Sequence, residues 1–432
     1  QSGPLLPARS LCCVDRRLGT GNAHGAWSNR PERAPEEKRA FARGLKSRML
    51  NIHLYPSPLT HESRILKESQ AIASFSDFSC IVLVGAAGRG LTDAEMLDEG
   101  RTTMRFSRDV PAWLPATIGK VLGVAAWSWR VFRCFSTKPV SCINCHSLST
   151  LPLGVALKFR TGAKLVYDPH ELETESNGLG GFRRTIAKVV ERAFYSLADE
   201  VIVVGDGIAD WYQRTYGGRR PTVVLNCPLS RKPERTSVLR RALGLPPDAT
   251  IYLYQGILGK GRGVEMMLEA FADLGDPGKV LVFLGMGPLE GRISEVAART
   301  PCVHLHPAVR PHELAEYTAS ADVGLCLIED TCLSYRYCMP NKLFEYFAAG
   351  IPTVVSNLPE IAGVVSRIGS GWVVVEWSAG ALRSVVESID AAQILARRVA
   401  VENAGAEFTW ENQVPVLRQV YARLGFLTAP SP

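Results

Sequence analysis

The residues best suited to chemistry lie in one stretch: Ser334-Tyr335-Arg-Tyr337-Cys-Met-Pro340-Asn341-Lys342-Leu-Phe-Glu345-Tyr-Phe-Ala-Ala-Gly350-Ile-Pro352-Thr-Val-Val. Pro340 halts a loop, Asn341 reads as the N-cap of a helix through 349, and Gly350 with Pro352 ends that helix before an apolar strand. A helix N-terminus carries unpaired N–H groups and partial positive charge, which suits a phosphate. Lys342 adds a full charge in the first turn, and Glu345 lies one turn along on the same face. A carboxylate there accepts from two ribose hydroxyls while the helix end holds a diphosphate. A lone Lys–Glu pair on an amphipathic helix is usually just solvated. That plainer explanation leaves the Pro-Asn start, the Ala-Ala-Gly end and the strand unaccounted for.

Elements that hold such a helix end are legible on both sides of it. The chain has 432 residues, 46% hydrophobic and 21% charged, which predicts two domains and excludes wholesale disorder. Residues 1–48 mix Gly, Pro, Arg and Ser without a period and read as a disordered or mis-start extension. Strands at 50–55, 80–84, 140–145, 164–167, 200–204 and 222–225 alternate with helices at 63–75, 151–160, 182–198 and 208–216. A polar connection follows at 229–248. Alternation then resumes, with strands at 251–254, 280–284, 303–305, 323–327 and 352–355, and with helices at 264–274, 289–300, 311–320 and after Pro340. Short β-rich runs between helices predict α/β architecture: two Rossmann-like, doubly wound parallel-sheet domains (49–228 and 249–405) facing across a ligand cleft, with a last helix inside 406–432.

The 334–360 string resembles the donor-site helix of family 4 glycosyltransferases, which have the GT-B fold, and the likeness covers most of residues 50–425. Tyr254-Gln-Gly256-Ile-Leu-Gly-Lys260-Gly-Arg262 resembles the family's first donor-domain strand and loop. Arg262 fits its second basic position. Ile257 stands where many members carry the first Arg, so Lys260 or Lys342 takes part of that role. Gly285-Met-Gly287-Pro resembles the turn after the next strand. Phe408-Thr-Trp410 resembles the entry to a final helix that crosses back onto the N-terminal domain. Asn144-Cys-His146 and Tyr167-Asp-Pro-His170 look like two strand ends facing the cleft, and the family's reaction-centre histidine falls on His146.

The resemblance implies a retaining, metal-independent hexosyl transfer from a UDP-, GDP- or ADP-sugar to a glycan or lipid-linked acceptor, with no resident cofactor. It assigns catalysis to His146, Arg262 and Lys342, with donor binding by Gly256, Lys260, Gly285, Gly287, Asn341 and Glu345. Sugar or acceptor contacts fall on His170, Ser334, Tyr335 and Tyr337. Two departures limit it: Tyr337 replaces a Glu eight positions before Glu345, and the loop 56–61 lacks a common Gly pair. The Ser-Tyr-x-Tyr-x-x-Pro-Asn-Lys variant resembles a branch associated with polysaccharide assembly.

Other signals are weaker. Cys142-x-x-Cys145-His146 matches a haem-attachment pattern, but the pair lies on a predicted buried strand and eleven scattered cysteines read as reduced thiols. Gly285-x-Gly287 lacks the third Gly of a dinucleotide fold. The net charge of +7 concentrates in 1–48 and 101–138, without a nucleic-acid motif. The latter segment carries Trp113, Trp127 and Trp129 beside its cations, and peripheral membrane contact is expected there, competing with a solvated loop. No apolar run reaches the ~18 residues of a membrane span, so a cytoplasmic protein at the inner membrane face is expected. Two competing readings remain: a nucleotide-sugar 2-epimerase and a non-catalytic nucleotide-sugar-binding protein.

Overall fold

A computed structural model describes residues 49–427 except 61, 112, 114 and 231–233, so the expected 1–48 extension and part of the 229–248 connection lie outside the described residues. By contact density the chain forms two compact units, the first from 49–168, 189–201 and 418–427 and the second from 169–188 and 202–417.

The first sheet contains β1 (Leu50–Leu54), β2 (Cys80–Ala86), β3 (Ala94–Met96), β4 (Arg101–Phe106), β5 (Val140–Cys145), β6 (Lys164–Tyr167), β7 (Glu200–Val203) and β8 (Thr222–Val223). Their order is β3-β4-β2-β1-β5-β6-β7-β8, parallel throughout except for β3 against β4. Every residue of β1 and β2 is buried, as expected of strands covered on both faces. The chain starts at β1, builds outward through β2 to β4, then returns to β5 on the other side. That reversal puts the topological switch, where open α/β sheets bind ligands, between β1 and β5.

The second sheet contains β9 (Thr250–Ile257), β10 (Lys279–Met286), β11 (Val303–Pro307), β12 (Val323–Cys326), β13 (Thr353–Ser356) and β14 (Gly371–Val374), in the order β11-β10-β9-β12-β13-β14 and all parallel. Alternation along β9 feeds two cores: Ile251 and Leu253 pack on one face, Tyr252 and Tyr254 on the other. Phe344 and Phe347 of the helix Asn341–Ala348 join the first core, where Phe408 stacks on Phe344 at 5.5 Å. This sheet switches between β9 and β12.

The segment 101–138 departs from its sequence reading. It is neither a loop nor a uniform cationic face, but the wholly buried strand β4 followed by the helix Ala116–Phe135. Arg105 donates to Glu95 at 2.8 Å and Arg101 pairs with Asp98 at 2.7 Å, which removes both cations from the surface. Trp127 and Phe135 enter the core, whereas Trp129 is 61% exposed. Among the described residues, no helix is long and apolar enough to cross a membrane. The final helix is Trp410–Leu424; within the first unit its Tyr421 hydroxyl donates to Asn144 Oδ1 at 2.7 Å.

Candidate functional site

The second unit holds a cavity of about 400 Å³ at the carboxyl end of β9, beside the N-terminus of the helix Asn341–Ala348. Tyr346 anchors that helix to the switch point. Its buried hydroxyl lies 2.9 Å from Leu253 O on β9 and 3.3 Å from Leu325 O on β12. Lys342, one turn earlier, is thereby turned to the cavity wall, where its Nζ lies 3.7 Å from the centre of the Tyr254 ring. Among the described residues Lys342 Nζ is buried and has no hydrogen-bond partner. Burial, the largest influence, pushes its pKa down to about 8. An orphaned ammonium is costly, and a cation–π contact offsets only part of that cost.

Arg262 stacks its guanidinium 4.7 Å over the Tyr335 ring. Glu345 Oε2 accepts from Gln255 Nε2 at 2.6 Å, and Gln255 Oε1 accepts from Thr318 Oγ1 at 2.8 Å, which fixes the carboxylate's direction. Ser334 Oγ donates to Glu171 Oε2 at 3.1 Å. Two glycines let backbone approach backbone here. Gly256 has φ +118°, and a Cβ on Gly285 would lie 1.9 Å from Gly256 O.

The cavity brings together His170, Gly256, Arg262, Ser334, Tyr335, Asn341, Lys342 and Glu345 from the sequence reading. Lys260 is exposed on the loop, and neither it nor Gly285, Gly287 or Tyr337 lines the cavity. The Tyr337 ring instead lies against Gly207 at the start of the helix Asp206–Tyr216. Asn341 is not the cap. Pro340 occupies that position with no side-chain bond, and Asn341 Oδ1, already helical, accepts from Asn226 Nδ2 at 2.9 Å. The first-turn amides therefore lose none of their capacity to a capping side chain. Sequence reasoning passed over Gln255, Tyr254 and Thr318. Gln255 sits inside the quoted 254–262 string, but a Gln on a strand announces nothing until its partners are known.

His146 belongs to the first unit, where it follows β5 and is 1% exposed. Its Nδ1 lies 2.9 Å from Asp168 Oδ2 and its Nε2 lies 2.8 Å from Nδ1 of His53, on β1. Arg64 grips Asp168 through Nε at 3.1 Å and Nη2 at 2.7 Å, and also pairs with Glu68 at 2.9 Å. Burial drives the Glu68 pKa well above the carboxylate range against the pull of Arg64, and nearby Asp168 raises it further. Burial likewise holds His53 well below the usual imidazole value, with His146 adding to the effect. Cys142 and Cys145 are fully buried on β5; burial raises both thiols, Cys145 to about 12.

Comparison with known proteins agrees with this geometry. A model of the glycosyl transferase 4-like domain matches residues 80–228, and one of glycosyl transferases group 1 matches 249–390. D-inositol 3-phosphate glycosyltransferase 2 of Catenulispora acidiphila is 28% identical over 306 residues, 65% of this chain and 70% of that one. Sucrose-phosphate synthase from Thermosynechococcus elongatus superposes with a TM-score of 0.71 at 19% identity, over 88% of this chain and 99% of its own. Anabaena HepE in complex with UDP-glucose gives 0.65 at 14%, over 87% and 99%. With two parallel α/β sheets, a basic helix end at the second switch point and both family models in chain order, the protein is a glycosyltransferase of the family 4 type with the GT-B fold.

Proposed function

We propose that the chain is a retaining hexosyltransferase that takes its sugar from a nucleoside diphosphate donor, without metal, and passes it to a glycan or lipid-linked acceptor. The diphosphate sits at the N-terminus of the helix Asn341–Ala348, against Lys342 and Arg262, and Glu345 accepts from the ribose hydroxyls. The observation that carries this is the buried, partnerless Nζ of Lys342 on the wall of a cavity that also receives Arg262. A diphosphate supplies the anion that both cations lack. As the glycosidic bond breaks, negative charge grows on the leaving phosphate, and preorganised donors there lower the barrier. His146 is the histidine assigned to the transferring sugar.

HepE, solved with UDP-glucose, supports a uridine donor. The exposed stripe Ile118, Val121, Leu122 and Trp129 on the helix Ala116–Phe135 supports a membrane-borne acceptor. A thermal-shift screen against UDP-, GDP- and ADP-sugars tests the donor: one class raises the melting temperature, and Lys342→Ala or Arg262→Ala abolishes the rise. If no nucleotide sugar shifts the wild type, the reading is wrong. Incubation with labelled donor alone separates transfer from isomerisation, which needs no acceptor.

A further inference from the structure

The first unit contains a buried chain of hydrogen bonds whose directions are all set by one member. Asp168 is clasped by two bonds from Arg64, so its Oδ2 receives a proton donor from His146 Nδ1 at 2.9 Å. A neutral His146 with its proton on Nδ1 has a bare Nε2. The contact of 2.8 Å with His53 Nδ1 then requires His53 to donate. His53 in turn has a bare Nε2, which faces Asn144 Nδ2 at 3.4 Å; that nitrogen shares its hydrogens with Asn51 Oδ1 at 2.6 Å and Ile52 O at 3.4 Å. Asn144 Oδ1, at the other end of the amide, accepts from the Tyr421 hydroxyl at 2.7 Å. Reversing either imidazole link, His146 to Asp168 or His53 to His146, sets donor against donor or acceptor against acceptor.

We propose that Asp168 and His53 are positioning residues that hold His146 as a neutral imidazole, protonated on Nδ1 and offering Nε2 as a hydrogen-bond acceptor. The charges agree: Arg64 balances Asp168 at 2.7 Å, while burial raises the Glu68 pKa well above its ordinary value, in the direction of its uncharged form. The two imidazole rings lie within 12° of parallel with centroids 5.1 Å apart, and Arg101 also opposes a charge on His53. The assignment of a task to this atom rests on the glycosyl-transfer reading. A neutral imidazole with a bare Nε2 is suited to accept a hydrogen bond from a hydroxyl, and it brings no positive charge with it.

The proton position can be measured without any donor sugar, so its outcome is separate from that of the transfer reading. Long-range ¹H–¹⁵N spectra of the full chain labelled at histidine, with signals assigned through His53→Phe, report which ring nitrogen carries the proton. Expected at pH 7 are Nδ1–H tautomers for both His53 and His146. Asp168→Asn, whose amide can donate, moves the His146 proton to Nε2, as an amide facing an imidazole does in other buried His–Asp pairs. Should Asp168→Asn not fold, His53→Phe gives the second reading: His146 keeps its proton on Nδ1. A wild-type His146 that is doubly protonated or protonated on Nε2, or a tautomer unmoved in Asp168→Asn, overturns the proposal.

Discussion

The two units place buried charge at their switch points in opposite ways. In the first, Arg64, Glu68, Asp168, His146 and His53 engage one another within a sealed array, each at most 3% exposed. In the second, Lys342 Nζ is equally enclosed yet has no hydrogen-bond partner among the described residues, and Arg262 rests on an aromatic face. An array whose charged groups pair with one another holds its members in fixed orientations without a ligand. An unsaturated one spends stability to keep a site ready for an anion. On the proposed reading, the contrast gives orientation to the first unit and ligand capture to the second.

The largest effect is expected where that pairing is broken. Arg64→Met leaves Asp168 buried without its cation and should cost about 3–5 kcal/mol in urea unfolding, whereas Glu68→Gln, at a carboxyl whose ionised form burial already disfavours, should cost far less. Equal losses for the two would show that the array is not organised around Asp168. Next come Lys342→Ala and Arg262→Ala, each expected to remove ~2–4 kcal/mol of transition-state stabilisation, read as kcat/KM for donor consumption. Near-normal turnover in both would remove the site from the second unit.

A third test uses the unsatisfied ammonium itself. Its folded pKa of about 8 lies below the ordinary 10.5, so the unfolded chain binds this proton more tightly. The penalty is therefore fully present below pH 8 and fades as pH rises toward 10.5, and stability gains across that window. Lys342→Met should be more stable than wild type at pH 7 by roughly 1–3 kcal/mol, and should lack that gain. Destabilisation would contradict the contrast. The smallest effect belongs to Asn341→Ala, expected within about 0.5 kcal/mol because the residue caps nothing. A loss near the ~1 kcal/mol of a true cap would restore the capping role.

Much of this was legible in the sequence for a local reason. The helix Asn341–Ala348, its Gly350 stop and its two charged residues are consecutive, so spacing alone places Lys342 and Glu345 on one face. The start slipped by one residue because Asn is a preferred cap, while Pro340 already supplied the extended turn. Arg101 and Arg105 read as solvated because nothing local reveals that Asp98 and Glu95 will neutralise them on a buried strand. The stretch 357–405 carries three helices and β14, whose half-buried residues give a weak period, and it went unread. The histidine array joins β1, the helix Ser63–Phe75 and the ends of β5 and β6 across as many as 104 positions, a relation that only pairing register creates.

The most direct test is calorimetric titration of UDP, GDP and ADP into wild type and Lys342→Met at pH 7. One nucleotide should bind the wild type, and its affinity should fall at least tenfold (about 1.4 kcal/mol) in a variant whose melting temperature is no lower. Equal affinity in the two proteins would mean that the helix beginning at Asn341 does not hold the diphosphate.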